Sequence, residues 1–543
     1  MANTGTDRKE WTCLNGDEAF GNNTTNVGTK QYYTQTAENL NSSKYPKGWL
    51  MPAYNDKKWT QPNTSGEMKS YKLCPYKSGV VNRYRQNPAE IRKLSENRYV
   101  IDFGNEMIGN VSVQLLCLTS QKWSVGYGEE LNSDGSVKSE MRTGNIYRET
   151  WNMTPGYQEM STINMKAFRY MEISGCTEKL SIGNITGWQV RQKTGNQELQ
   201  FSSDNSILND EYNLAKRTIE NTSQDMYVDT QSRERQNYAG DTFINMMTAT
   251  SMNSNYSLSA HSIEYALNHP TWPSEYMLYT VQASWKYYLY SGDIDFLNRN
   301  YSKIVNCMKV FSINGNGWIT DPQRTVMVDW PASERDGYEM ESAYYNTVLN
   351  AIYCGTCTDM ANIAEYVGKT SEASYYRNLR NSVKASMIQK AYNPETGRFS
   401  DGLTKEGKKI DHYAQHATAF SLANQVYESQ GMAVKMADSL KNEGINKMSV
   451  YGTFFLLQGL YNSNQGVLAR QIMSNPSDYT GSRTWANMMY NSGATLTTEA
   501  WDSTIKSNMS YSHAWGSAPG TWLIQGLFGI KPTEPGWNEA EIK

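Results

Sequence analysis

The chain has 543 residues, with 51 Lys+Arg against 54 Asp+Glu and a net charge of −3. That length exceeds one ordinary core and predicts roughly two to four domains. The balanced charge gives no electrostatic footprint for nucleic acid or an anionic membrane surface. No apolar run reaches the length of a membrane-spanning helix. Residues Met1 to Arg8 lack a basic segment followed by an apolar one. The sequence as it stands therefore predicts a cytoplasmic protein, or a periplasmic or secreted one if a leader has been removed. Seven cysteines, scattered and odd in number, argue against a disulfide framework.

Taken in order, residues 1–70 are rich in Asn, Thr, Lys and Gly and predict an irregular lead-in packed on the domain that follows. Residues 71–195 read as a β-sandwich. Short alternating runs at 98–103, 110–118, 122–127, 147–151, 168–173 and 185–190 are separated by Gly and Asn turn signals. The character changes near 191–204, where Asp204 predicts an N-cap and Leu208, Tyr212, Ala215 and Ile219 follow at helical spacing. From 196 to 530 helix follows helix. The segment Tyr276–Tyr290 breaks at Ser291-Gly292-Asp293, where Gly ends one helix and Asp caps the next. Further helices are predicted at 344–367, 371–390, 414–430, 433–442, 447–462, 465–474, 484–491 and 515–527. About a dozen helices with no fixed repeat period predict an (α/α)6 toroid rather than a superhelical array. Residues 531–543 predict a tail or the start of a further β-domain. The expected fold class is therefore mainly α, an (α/α)6 catalytic toroid preceded by an N-terminal β-sandwich. Cys354 and Cys357 fall inside an apolar helical pattern and read as small core residues, not as a redox or zinc pair.

The densest chemistry lies in Asp229-Thr-Gln-Ser-Arg233-Glu234-Arg235-Gln-Asn-Tyr238-Ala-Gly240-Asp241. In an extended segment neighbouring side chains alternate, so Glu234 can face a cleft while Arg233 and Arg235 face elsewhere. That separation suits a general acid, whose pKa two nearby guanidinium groups would lower. Asp241 precedes an apolar run at a helix start, where an ionised carboxylate is favoured. A surface salt-bridge cluster is the competing reading of the same charges. Three more islands carry chemical side chains: Asp329-Trp330-Pro331, then Glu499-Ala-Trp501-Asp502, whose glutamate has no adjacent basic partner, then Ser512-His513-Ala-Trp515. Asp329 and Trp330 could form a sugar platform, or Trp330 could equally be an ordinary buried Trp. Two carboxylates far apart in sequence, on loops at one end of a helical barrel, are what glycoside hydrolysis requires. No Cys/His metal cluster, phosphate-binding glycine loop or Gly-x-Ser-x-Gly elbow is present, and no cofactor is expected.

From about residue 97 onward this combination resembles the α-L-rhamnosidases of glycoside hydrolase family 78. The phrases Tyr99-Val-Ile-Asp102-Phe-Gly104, Gly126-Tyr-Gly-Glu129-Glu-Leu131 and Phe168-Arg169-Tyr170-Met-Glu-Ile173 share in the likeness. The resemblance implies Glu234 as general acid and Glu499 as general base of an inverting mechanism, with roughly 6.5–9.5 Å between the carboxyls. It implies a substrate-binding set of Asp229, Arg233, Tyr238, Asp241, Trp272, Asp329, Trp330, Trp501 and His513. Thr230-Gln231, Gln236-Asn237 and Thr498 depart from the family's usual residues, so the reaction class is carried more firmly than the sugar. The implied partner is a rhamnose-containing oligosaccharide or glycoside, for a monomer or homodimer that engages neither nucleic acid nor membrane. Another (α/α)6 exo-glycosidase acting on a deoxy sugar or uronide is the alternative, as is a catalytically impaired carbohydrate-binding relative.

Overall fold

The computed structural model describes residues 12–21, 32, 35–61, 77–193, 199–321, 323–442 and 446–542. It divides into two units, Met1–Tyr76 with Asn82–Arg191, and Lys77–Val81 with Gln192–Lys543. The first unit has a one-turn helix, α1 (Asp17–Phe20), and the strands β1 (Val81–Gln86), β2 (Glu90–Ser95), β3 (Arg98–Cys117), β4 (Gln121–Gly128), β5 (Arg148–Met153), β6 (Gly156–Ser161), β7 (Lys166–Ser174) and β8 (Ile185–Gln192).

The two expected strands 98–103 and 110–118 are one continuous strand, β3, which serves two layers. Its first half pairs with β2 and β7, and β4 and β5 continue that layer. Its second half lies between β8 and β6, with β1 beside β8. The change of layer falls where the β3–β7 register jumps between Asp102 and Met107. Gly104 has φ +78° there, and the Asp102 carboxylate accepts its N–H at 2.7 Å, a local turn within the strand that only glycine adopts without strain. Ile101 and Phe103 from one half and Val111, Val113 and Leu115 from the other fill a single core. Strands β1, β2 and β6 escaped the sequence reading because they are polar; β2, for example, keeps only Ile91 and Leu94 partly covered.

The lead-in is less idle than its composition suggests. Ala37, Leu40 and Tyr45 enter the β-core, and Glu38 accepts the main-chain N–H groups of Ile163 and Asn164 at 2.7 and 3.0 Å. Lys166, 1 % exposed, lies 3.4 Å from Glu38 and 2.9 Å from Glu149. Burial alone would strip its charge; the two carboxylates outweigh burial and push its pKa up.

The second unit alternates outer and inner helices: α2 (Ser206–Asn221), α3 (Ala239–Met252), α4 (Ser257–Asn268), α5 (Tyr276–Ser291), α6 (Ile294–Lys309), α7 (Thr347–Tyr366), α8 (Thr370–Ala391), α9 (Gln415–Ala423), α10 (Gln430–Asn442), α11 (Val450–Asn462), α12 (Gly466–Met473) and α13 (Ala518–Trp522). Helix α3 packs on α5, α5 on α7, α7 on α9, α9 on α11, α11 on α13, and α13 back on α3. That closed ring of odd-numbered helices, with the even-numbered ones outside, is the (α/α)6 toroid. Its centre is filled by aromatic rings from four inner helices. Phe455 lies 6.4 Å from Phe243, 5.3 Å from Tyr279 and 4.7 Å from Phe420.

Local signals set most helix ends. Gly292 closes α5 at φ +71°, and the Asp293 side chain accepts the N–H of Phe296 at 3.0 Å to open α6. Asn205, not Asp204, caps α2. The segment 414–430 does not run as one helix: α9 stops at Ala423, and Gln425 follows at φ +56°. The segment 484–491 ends as a π-helical turn, and α13 continues as another over Leu523–Leu527. Cys354 and Cys357 are buried and free.

Candidate active site

The first turns of the inner helices α3, α5 and α11 meet at one end of the ring. Tyr451 of α11 donates to Tyr279 of α5 at 2.9 Å, and Tyr276 of α5 reaches Asp241 of α3 at 3.5 Å. Gly240 permits the second contact, since a Cβ there would lie 2.5 Å from the Tyr276 ring. The loop entering α3 is pinned before it presents anything. Asp229 N–H donates to Gln236 O at 3.0 Å, Gln236 N–H returns to the Asp229 carboxylate at 2.9 Å, and Asn237 and Asn245 hold Tyr227 O and Val228 O. Thr230 bridges to His513, tying this loop to the one that enters α13.

Between these loops sits an acidic cluster organised by one cation. Arg233 Nε donates to Glu234 Oε1 at 2.6 Å, and its Nη2 donates to Glu499 Oε1 at 2.9 Å. The expectation that Arg233 would point away from Glu234 fails, because the loop turns sharply rather than running extended: Arg235 has φ +53°. Arg235 does face elsewhere and donates to Gln231 O. Glu499 likewise has basic partners after all. The chain folds back so that Glu499 N–H meets Ser510 O, which brings Lys506 Nζ to 3.2 Å from Oε1 and Ser510 N–H to 3.1 Å from Oε2. Burial alone would raise the Glu499 pKa; Arg233 foremost, then His513 and Lys506, outweigh it and hold the carboxyl below its usual range.

Asp229 behaves in the opposite way. Burial first, and the charge of Glu234 next, push its carboxyl well above the usual range, and it lies within hydrogen-bonding reach of Glu234. Asp241 is in the first turn of α3, yet its position there does not keep it low. Burial raises its pKa, against the pull of His513, whose Nε2 is 2.9 Å from Oδ1. Among the described residues Glu234 Oε2, His513 Nδ1 and Ser510 Oγ are buried without a hydrogen-bond donor or acceptor. Unpaired polar atoms on neighbouring residues are what a ligand rich in hydroxyl groups would satisfy.

Asp229, Arg233, Glu234, Asp241, Glu499 and His513 are thus brought together. Tyr238 caps α3, half-buried at the edge of the same loop. Trp272 and Trp330 are 57 % and 36 % exposed on the loops before α5 and α7, free to meet a ligand at their faces. Two expected contacts are corrected. Trp501 is fully buried, packed edge-on against Trp485 and donating to Met448 O at 2.9 Å. Asp329 is fully buried as well: its Oδ2 binds His416 Nε2 at 2.6 Å and Ser449 N–H at 3.0 Å, which anchors the starts of α9 and α11. The polar atoms of both are taken up by partners within the fold, so in this arrangement they fix the helix starts rather than line the cluster. Lys506 and Tyr276 were missed because each reaches the cluster only through tertiary folding.

Comparison with known proteins identifies the family. Residues 196–527 match the bacterial alpha-L-rhamnosidase 6 hairpin glycosidase domain, and residues 92–191 match the bacterial alpha-L-rhamnosidase concanavalin-like domain. The chain is 22% identical over 548 residues to an alpha-L-rhamnosidase of Alteromonas sp. (strain LOR), covering 93% of this chain and 58% of that protein. The fold superposes on native alpha-L-rhamnosidase from Aspergillus terreus with TM-score 0.77 at 18% identity, covering 93% of this chain and 61% of that one. For Streptomyces avermitilis alpha-L-rhamnosidase complexed with L-rhamnose the values are 0.73 and 16%, over 93% and 50%. The chain thus spans 50–61% of the length of these three relatives. With both of its domains matched in order and the larger match covering most of its length, the chain belongs to the bacterial α-L-rhamnosidase family of six-hairpin glycosidases.

Proposed function

We propose that this chain hydrolyses terminal α-L-rhamnosides of oligosaccharides or glycosides with inversion, with Glu234 as general acid and Glu499 as general base. The observation that carries the reading is the environment of Glu499, a buried carboxylate kept ionised by Arg233 and Lys506, with Glu234 on the other prong of the same guanidinium. An ionised carboxylate can take a proton from water as its oxygen attacks the anomeric carbon. Glu234 gives its proton to the glycosidic oxygen as the C–O bond breaks, and the first product is the sugar of opposite anomeric configuration. Asp229, whose carboxyl is pushed up by burial and by the charge of Glu234, stands within hydrogen-bonding reach of the acid. Asp241, His513 and Tyr276 form a fixed hydrogen-bonded group that can orient sugar hydroxyls. The rhamnose specificity rests on family membership and on the Streptomyces avermitilis relative being complexed with L-rhamnose.

Hydrolysis of p-nitrophenyl α-L-rhamnopyranoside, followed by NMR of the first-formed anomer, tests sugar and stereochemistry together. No turnover would move the assignment to another deoxy sugar or a uronide; a retained configuration would reject the base role of Glu499. Glu234→Gln should lose ~10²–10⁴ of the rate on alkyl or sugar leaving groups and far less on activated aryl ones, because only poor leaving groups need the proton. Equal losses on both would remove the acid role. Lys506→Met should shift the acidic limb of the kcat/KM profile to higher pH. The neighbouring cation lowers the Glu499 pKa, so its loss lets the base protonate earlier as pH falls. Lys506→Arg should leave the limb in place, and an unmoved limb in Lys506→Met would show that Arg233 sets the base alone.

A further inference from the structure

We propose that the β-sandwich carries a saccharide-binding groove of its own on the outer face of its four-stranded layer. A cavity of about 370 Å³ lies on that face, within the usual ~300–1,000 Å³ of ligand clefts. Strand alternation builds it. Val113, Met160 and Ile185 point into the core, while Gln114, Glu159 and Trp188 on the same strands point out. The lead-in turn around Trp49 forms a wall, fastened by the Trp49 indole N–H to Tyr45 Oη at 3.2 Å.

The polar groups of the groove are held by one another before any ligand arrives. Trp188 Nε1 donates to Ser112 Oγ at 2.6 Å, and the Arg83 guanidinium lies 4.7 Å over the indole while Nη2 donates to Asn110 at 2.9 Å. Gln114 Nε2 donates to Glu159 Oε1 at 3.0 Å. Pre-set side chains lose little entropy on binding. The Trp49 indole and the face of Trp188 that Arg83 does not cover suit the C–H face of a pyranose, and amide, carboxylate and guanidinium groups in fixed planes suit its vicinal hydroxyls. Arg83 and Arg85 against Glu159 leave a net charge of only +1, too weak a field to select a polyanion over a neutral glycan. An extended peptide would dock on an open strand edge, whereas this is a face built of side chains. The groove is therefore assigned to a neutral saccharide, whichever glycoside the toroid cleaves.

Native gel electrophoresis of the full chain in soluble polysaccharide tests this, with Glu499→Gln as the background so that the polymer survives. A rhamnan, a galactan, a glucan and a mannan serve in turn as probes, and a polyuronate is the charged control. At least one neutral polymer should retard the Glu499→Gln chain. Adding Trp188→Ala, or separately Arg85→Ala at an exposed position, should raise the polymer concentration for half-retardation about tenfold or more. Either change in the wild-type background should leave aryl glycoside hydrolysis unaltered, which also reports that the chain has folded. Equal retardation in all three chains, retardation by the polyuronate alone, or no retardation by any neutral polymer overturns the assignment. None of these outcomes depends on whether the toroid acts on rhamnose.

Discussion

Glu499→Gln should lower kcat on p-nitrophenyl α-L-rhamnopyranoside by ~10²–10⁴, the span expected when a positioned general base is removed. Glutamine keeps the size of the side chain and one of its two acceptor oxygens, enough for either the Arg233 or the Ser510 contact, and the main-chain bond from Glu499 N–H to Ser510 O is untouched, so the loop between 499 and 510 should hold its shape. What disappears is the negative charge that Arg233 and Lys506 sustain and that water must meet to lose its proton. KM should change little, because Glu499 is assigned to water rather than to sugar hydroxyls. Azide provides the sharper check. It attacks the anomeric carbon without needing a base, so added azide should restore rate to Glu499→Gln and yield the glycosyl azide of inverted configuration. A variant that keeps more than about a tenth of the wild-type rate, or that azide cannot rescue, would place the base elsewhere.

Lys166→Met should destabilise the β-unit by about 3–5 kcal/mol, the cost of leaving buried charges without their partner. Methionine fills nearly the same volume, so the effect isolates the lost ammonium. Glu38 and Glu149 would be left as two buried carboxylates without their shared cation, and the contact of the Lys166 ammonium with the Tyr127 ring at 5.0 Å would also be gone. The lead-in would lose its fastening at the same time, since Glu38 ties residues 35–42 to the strand ends. Urea unfolding monitored by tryptophan fluorescence is the measurement, because Trp123 and Trp151 stack at 6.4 Å within that core. A shift below about 1 kcal/mol would show that the triad is weakly coupled to folding.

The toroid was legible because its information is local. Helical spacing, Gly292 at a C-cap and Asp293 at an N-cap mark ends within a few residues of where they fall. The β-unit was half legible: strands that bury one face announce themselves by alternation, while the polar strands β1, β2 and β6 do so only through their neighbours. The acidic residues stood out by type and spacing, and their family pattern named the two glutamates. Their ionisation was another matter. Nothing near Glu499 in sequence tells that Lys506 and Arg233 will converge on one of its oxygens from different loops. Nor could helix position reveal that burial raises Asp241, or that Asp329 and Trp501 would be sealed inside the core. The sequence by itself determined which elements form and which side chains carry chemistry, since propensity, capping and residue type act over a few residues. Tertiary structure alone decided which of those side chains meet, which stay charged and which are buried, since desolvation and Coulomb interactions depend on neighbours brought from afar.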